Sequence, residues 1–179
     1  MKIGFIGLLA SVAVLTASGA VAQDGLVDGA VGLCQQALSG ATGEGHDLAA
    51  VEGKPANPFA ERGYKGSLNG VPVLVGVGEK FGNDLCDVQF PEAGAEAYEV
   101  VNADLKQRFG EEGTIYDKPD GAYGYRGEIW ADSDAVENGA VDDLKLGGIP
   151  FSTVMVQYAD EPFRQTGNRT GLLLELTGR

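Results

Sequence analysis

The chain has 179 residues, with 13 lysines and arginines against 26 aspartates and glutamates, and its formal net charge at pH 7 is −13. A surface with this excess of negative charge repels nucleic-acid phosphates and anionic lipid headgroups, so nucleic acids and acidic membranes are excluded as expected partners. The 28 glycines follow no period, which indicates many turns and excludes a collagen-like fibre.

The first 22 residues have the pattern of a secretory signal peptide. Lys2 precedes an apolar run over residues 3–15, and small residues then lead to Ala-Val-Ala at positions 20–22. A short positive region, an apolar region and an A-x-A site define such signals, and the run is shorter than the roughly 20 residues that span a bilayer. We therefore expect cleavage after Ala22, export to the periplasm or beyond, and a single soluble domain over 23–179 without a membrane span.

A first helix is predicted to follow, and it carries one of the two cysteines. Apolar residues recur at helical spacing, and Gly40 then acts as a stop signal. This apolar stripe consists of Leu26, Val27, Ala30, Val31, Cys34 and Leu38. The next stretch, residues 40–63, is rich in glycine, alanine and proline, and we interpret it as a long loop, with one turn of helix at 47–51 as an alternative.

The next predicted elements are two strands, the second of which carries the other cysteine. Valine alternates with other residues over 71–77, and residues 85–90 return as the second strand, with Cys86 on its apolar face. A helix packed on this sheet would bring Cys34 and Cys86 together, so we predict one disulfide, as is common in exported proteins. The chain has no C-x-x-C motif and only one histidine, so we expect neither a redox pair nor a zinc site.

A second helix is predicted from Pro91, in the first-turn position that proline prefers, to a stop at Gly110. Its buried stripe is predicted to be Tyr98, Val101, Leu105 and Phe109. Four strands then follow, over residues 114–116, 122–130, 151–158 and 171–177. The order α-β-β-α-β-β-β-β predicts an α+β fold, in which a mostly antiparallel sheet of about six strands carries both helices on one face.

An acidic loop over residues 132–143 is the stretch that most resembles a cation site. It does not fit the twelve-residue calcium loop, because Val136 occupies the fifth ligand position and Glu137 the place of the required glycine. An irregular calcium site remains a weak alternative, formed by Asp132, Asp134, Asp142 and Asp143. No motif indicates a bound cofactor, and the only histidine, His46, lies in a glycine-rich loop that offers little to hold a catalytic ring.

Strand alternation predicts a candidate binding surface on the sheet face away from the helices. If the valines of 71–77 point inward, Leu74 points outward, and the same counting is applied to the later strands. The predicted outer surface then consists of Leu74, Arg126, Glu128, Trp130, Met155 and Leu173. Apolar anchors beside a few polar groups are typical of a partner surface. The alternative is that a loop covers this face, and a register error of one residue would exchange the two faces of a strand.

From these features we expect an exported acidic domain that binds a protein or a small molecule and has no catalytic site. Two other functions stay open: a small hydrolase that uses acidic residues, and a calcium-associated structural protein of the cell envelope. The 26 acidic residues allow many carboxylate pairs, and no pair stands out from the sequence.

Overall fold

The structure is a computed structural model that describes residues 25–43, 47–53, 55–111, 114–115, 125–131, 144–162 and 169–178. These residues contain two helices and nine strands. In chain order they are α1 (Leu26–Ser39), β1 (Leu48–Val51), β2 (Ala60–Leu68), β3 (Val71–Lys80), β4 (Asn83–Phe90), α2 (Ala95–Phe109), β5 (Thr114–Ile115), β6 (Arg126–Ala131), β7 (Lys145–Leu146), β8 (Ile149–Ala159) and β9 (Gly171–Gly178).

The strands form an antiparallel sheet in the order β1-β2-β3-β4-β9-β8-β6-β5, and the short β7 pairs with the start of β8. Strands β1 to β4 follow one another along the chain, each paired with the next. Strand β9 lies between β4 and β8 and so joins this first group to the strands that follow α2. The predicted α+β class is confirmed, with a sheet somewhat larger than the six strands expected.

The hydrophobic core lies between the sheet and the two helices, both of which pack on the same face. Helix α1 contacts β3 and β4, and α2 contacts β8 and β9. The alternating valines of β3 are buried in this core, as predicted, together with the α2 stripe of Tyr98, Val101, Leu105 and Phe109. The α1 stripe is likewise buried except for Leu38, which is 36% exposed. Among the residues that the structure describes, neither helix has the length and apolar character needed to cross a membrane.

The predicted disulfide is confirmed. Cys34 on α1 and Cys86 on β4 are bonded, with their Cα atoms 5.8 Å apart, and the bond closes a loop of 52 residues. Both cysteines are buried in the core between the helix and the sheet. The bond therefore ties the first helix to a central strand.

The interpretation of residues 40–63 as a loop, with a turn of helix at 47–51, is wrong. This region contains β1, which pairs with β2, and the start of β2, which pairs with both β1 and β3. Strand β2 lacks the apolar alternation that identifies a strand because glycines occupy positions where a side chain would collide. A Cβ at Gly66, for example, would overlap the Asp47 carbonyl group and the Leu48 side chain of β1.

Helix α2 begins later than predicted. Its first residue is Ala95, and Pro91 lies instead in the turn that follows β4, where the Ala93 amide donates to the Phe90 carbonyl at 3.1 Å. Gly94 is the residue before the helix and has an extended backbone, with φ at −84°. The predicted end at Gly110 is correct, since the Gly110 amide donates to the Lys106 carbonyl at 2.8 Å.

Two glycines of α1 have different surroundings, so we expect their substitution by alanine to have different effects on stability. A Cβ at Gly32 would meet nothing within 4 Å, whereas one at Gly29 would come within 2.7 Å of the Leu68 side chain of β2. We expect Gly32→Ala to raise the free energy of unfolding by roughly 0.5–1 kcal/mol, because alanine loses less backbone entropy in a helix. Gly29→Ala serves as the control and should gain less or lose stability. Urea unfolding measures both, and equal gains would contradict the contact with Leu68.

Candidate functional site

The six residues of the predicted binding surface do not share one face. Trp130 is only 2% exposed, its ring centroid lies 6.2 Å from that of Phe109, and its Nε1 donates to the Gly110 carbonyl at 3.1 Å. Trp130 therefore belongs to the core beneath α2. The prediction that it lies on the outer face is wrong.

Glu128 and Arg126 also face α2. Alternate residues of a strand point to the same side, so both lie on the same side of β6 as Trp130. Glu128 Oε2 lies 3.3 Å from Lys106 Nζ, and Arg126 Nη1 lies 2.9 Å from Glu99 Oε1. The sequence argument placed Arg126, Glu128 and Trp130 together on the outer face, as part of a binding surface. In the structure this side of the strand faces α2 instead, because the helix buries the Trp130 ring and places Lys106 beside Glu128.

Leu74, Met155 and Leu173 do lie on the face away from the helices, as the strand register requires. Leu74 is 45% exposed, whereas Leu173 is 1% exposed and Met155 is half-buried. Much of the outer face is therefore covered.

Part of the cover is residues 55–59, which we name the crossing segment. A Cβ at Gly63 would lie 3.3 Å from the Pro55 ring, and one at Gly78 would collide with the Phe59 carbonyl oxygen. Both glycines alternate with core residues of β2 and β3, so their missing side chains would point away from the helices. The crossing segment consequently passes directly over the outer face, and the glycines provide the space for it.

Two ion pairs lie next to each other on this face. Asp87 of β4 and Glu175 of β9 are directly opposite in the antiparallel register. Arg169 donates a hydrogen bond to Asp87 Oδ2, and Lys80 Nζ lies 2.6 Å from Glu175 Oε1. Asp87, Glu175 and Arg169 are all buried. The two cations offset the repulsion that opposed carboxylates would otherwise have.

Asn57 connects the crossing segment to these ion pairs. Its Nδ2 donates to Glu175 Oε2 at 3.2 Å, and its Oδ1 accepts from the Phe59 amide at 3.0 Å. The side chain is buried, so both of its polar ends are used inside the protein. The crossing segment is thus held to the sheet by hydrogen bonds as well as by contact with glycines.

A cavity of about 210 Å³ opens between the crossing segment and the sheet. Its polar wall is formed by Asn57, Asp87, Gln89 and Arg169. Its apolar wall includes Val51, Pro55, Ala56 and Leu74. Apolar walls with a few convergent polar groups are the usual composition of a ligand site, although the pockets that bind drug-sized ligands are larger, at about 300–1,000 Å³.

One oxygen in the cavity wall has no hydrogen-bond partner among the described residues. Asp87 Oδ1 is buried and unpartnered, whereas Oδ2 is bonded to Arg169. Oδ1 lies against Gly76, another residue of the cavity wall, so closely that a Cβ there would collide with it. A buried acceptor without a donor costs about 1–3 kcal/mol, and a ligand that donates a hydrogen bond would recover this energy.

A larger and more open depression, of about 720 Å³, lies on the outer face beside Lys65, Leu74 and Pro91. None of the unpartnered buried polar atoms of the described chain belongs to a residue that lines it. The smaller cavity therefore has the stronger chemical argument, and we take it as the candidate site.

The electrostatic surroundings keep Asp87 protonated at higher pH than usual. Its pKa is raised from 3.8 to about 6, mainly by burial and also by the nearby Glu175 carboxylate. The Arg169 guanidinium and the Asn57 amide oppose this rise. A carboxyl group in a cavity that titrates near neutral pH is a frequent mark of a functional site.

This raised pKa predicts that Asp87 makes the fold more stable in acid than at neutral pH. The folded chain keeps the proton up to about pH 6, whereas the unfolded chain loses it near 3.8. Because the folded state binds more protons over this interval, the contribution of Asp87 to stability falls by roughly 3 kcal/mol as the pH rises through it. Urea unfolding at pH 4.5 and 7.5 measures the effect. The double variant Asp87→Asn, Arg169→Met should lack this component, and an unchanged pH dependence in it would contradict the assignment.

The remaining predicted sites cannot be placed. His46 and the acidic residues Asp132, Asp134, Asp142 and Asp143 lie outside the described residues. Within the described ranges, no group of three or more His, Cys, Asp or Glu side chains could hold a metal ion.

Comparisons of the chain with protein-family models, with curated proteins and with solved structures give no match. Its function has to be argued from its own residues.

Proposed function

We propose that the chain is an exported, non-catalytic binding protein, and that the cavity beneath the crossing segment is its ligand site. The observation that carries this proposal is the buried, unpartnered Asp87 Oδ1 in the cavity wall. The crossing segment and the glycines beneath it form a preshaped cavity, which reduces the conformational entropy that the protein loses when a ligand binds.

Binding is favoured over catalysis because the polar groups are already held by one another. Glu175 accepts hydrogen bonds from Lys80 and Asn57, and it does not line the cavity. Arg169 occupies the second oxygen of Asp87. A hydrolase with two carboxylates needs both of them next to the scissile bond, and here one carboxylate reaches the cavity.

One observation favours the second candidate, an acid-dependent hydrolase. Asp87 has a pKa of about 6 and lies opposite a second carboxylate, which is how general acids are commonly arranged. Hydrolysis of chromogenic esters or glycosides, with a rate that depends on a group titrating near pH 6 and is lost in the Asp87→Asn, Arg169→Met variant, would establish the enzyme instead.

Export is proposed from the signal-like residues 1–22 and from the disulfide, which is typical of oxidising compartments such as the periplasm. Intact-mass measurement of the protein recovered from the periplasm or medium tests it. We expect a mass that corresponds to a chain beginning at Gln23, and a mass that retains residues 1–22 would contradict the proposal.

The binding proposal is tested by ligand-observed NMR with a panel of small neutral polyols and sugars, amines, carboxylates and amides. We expect at least one class to bind the native chain. Ala56→Trp should abolish this binding, because Ala56 is an exposed residue of the cavity wall and the larger ring fills the space. Val100→Trp is the matched control, since Val100 is an exposed residue of α2 that does not line the cavity. Failure of every class to bind would overturn the proposal.

A further inference from the structure

We infer that the ligand of this cavity is a small, uncharged polyhydroxy compound, of the size of a polyol or a monosaccharide. The inference rests on the proposed binding function and specifies its ligand. Three features carry it: the balance of charge around the cavity, the kind of hydrogen-bonding groups it presents, and its volume.

Among the described residues, the charged groups beside the cavity form two ion pairs of opposite charge. Asp87 is paired with Arg169, and Glu175 behind it is paired with Lys80. An ionic ligand would have to give up its hydration without gaining an opposite charge that is not already neutralised. A neutral ligand does not incur this cost.

Two residues of the polar wall each carry a side-chain acceptor. One is Asp87 Oδ1, which has no partner among the described residues. The other is the Gln89 side chain, whose Nε2 donates to the Thr170 carbonyl at 2.7 Å and leaves Oε1 as an acceptor. Two acceptors on neighbouring strand positions are best satisfied by a ligand with two donors, and adjacent hydroxyl groups provide them without charge.

The volume and the apolar wall restrict the remainder of the ligand. About 210 Å³ corresponds to the liquid volume of roughly seven water molecules, at about 30 Å³ each, which is too small for a drug-sized ligand. Val51, Pro55 and Ala56 give the cavity an apolar lining beside its polar groups. A compact ring or chain that carries both hydroxyl and C–H groups matches this mixed lining.

Neutral and charged polyhydroxy compounds test the inference by calorimetry. Glucose, galactose, mannose, ribose and inositol are the neutral probes, and glucosamine and glucuronate are the cationic and anionic ones. We expect at least one neutral probe to bind and both charged probes to bind at least tenfold more weakly. Tighter binding of glucosamine or glucuronate would overturn the inference and leave the binding function standing. If amines, carboxylates or amides of the NMR panel bind and no sugar or polyol does, the polyhydroxy ligand is refuted and the binding function stands. If nothing in that panel binds, both the ligand and the binding function are refuted.

A pair of glutamine variants tests the hydrogen-bonding part of the inference. Gln89→Met removes the proposed acceptor, and we expect the dissociation constant of the neutral probe to rise about tenfold, as the loss of one hydrogen bond implies. Gln157→Met is the matched control, because Gln157 lies in the same cross-strand row, one position beyond Leu173, is equally buried and does not line the cavity. Melting temperatures check that both variants fold. Equal weakening in the two variants, or none in Gln89→Met, would refute the role of Gln89.

Discussion

Replacing Arg169 by methionine is expected to lower the free energy of unfolding by about 3–5 kcal/mol, because it leaves the buried Asp87 carboxylate without its cation. Asp87→Asn should also lower the free energy of unfolding, because the buried Arg169 guanidinium loses its ion pair with the Asp87 carboxylate. These losses are a large share of the 5–15 kcal/mol that stabilises a typical domain. Urea unfolding at pH 7.5 measures them, with the fluorescence of the chain's single tryptophan as the signal.

The double variant distinguishes this explanation from a simple loss of contacts. The double variant removes both members of the pair, so Asp87→Asn, Arg169→Met should lose less stability than either single variant. Arg126→Met is the control for removal of an arginine from an exposed pair. Its partner is Glu99, both side chains are well exposed, and we expect a change of less than about 1 kcal/mol. Additive losses in the double variant would contradict the ion-pair explanation.

The second large effect is expected from the disulfide. Removal of a bond that closes a loop of 52 residues should lower the free energy of unfolding by roughly 4 kcal/mol, because the unfolded chain regains the entropy that the closed loop had restricted. The variant Cys34→Ala, Cys86→Ala tests this by urea unfolding. Native protein unfolded in a thiol reductant is the control and should show a comparable loss. A loss below about 1 kcal/mol in both would show that the bond adds little to the packing of α1 on β4.

The features that the sequence predicted well are those in which burial is periodic. The valines of β3 alternate because one face of the strand lies in the core, and the α2 stripe follows the helical repeat for the same reason. The disulfide was predictable because Cys34 and Cys86 occupy positions in two such patterns. Apolar periodicity therefore identified the helix side of the sheet and the elements packed on it.

The outer face was predictable only in part, because its burial follows no period. Strand β2 is built around Gly63 and Gly66, whose missing side chains admit neighbouring backbone, and glycine gives no apolar signal. Trp130 was assigned to the wrong face because the alternation of β6 is equally consistent with either side. Only the contact of Trp130 with Phe109, which is remote in sequence, decides between them.

The candidate site is indicated in the sequence by polar residues within apolar strands. Glu175 interrupts a run of leucines in β9, and Asp87 and Gln89 alternate with apolar residues in the central strand β4. Polar residues on the second face of a central strand indicate either solvent or a buried polar layer. The choice between them depends on whether another part of the chain covers that face. The crossing segment does so, and its own composition of proline, alanine and asparagine gave no indication of where it would lie.

The position of β9 in the sheet has a consequence for the order in which the molecule can be assembled. Its two neighbours, β4 and β8, both precede it in the chain, and they are not paired with each other. A nascent or truncated chain that ends before Gly171 therefore has two separate groups of strands, each with an open edge that can pair with another chain. Ribosomal synthesis must pass this point before the sheet can close. The polypeptide consequently cannot complete its sheet until the residues of β9 have been synthesised.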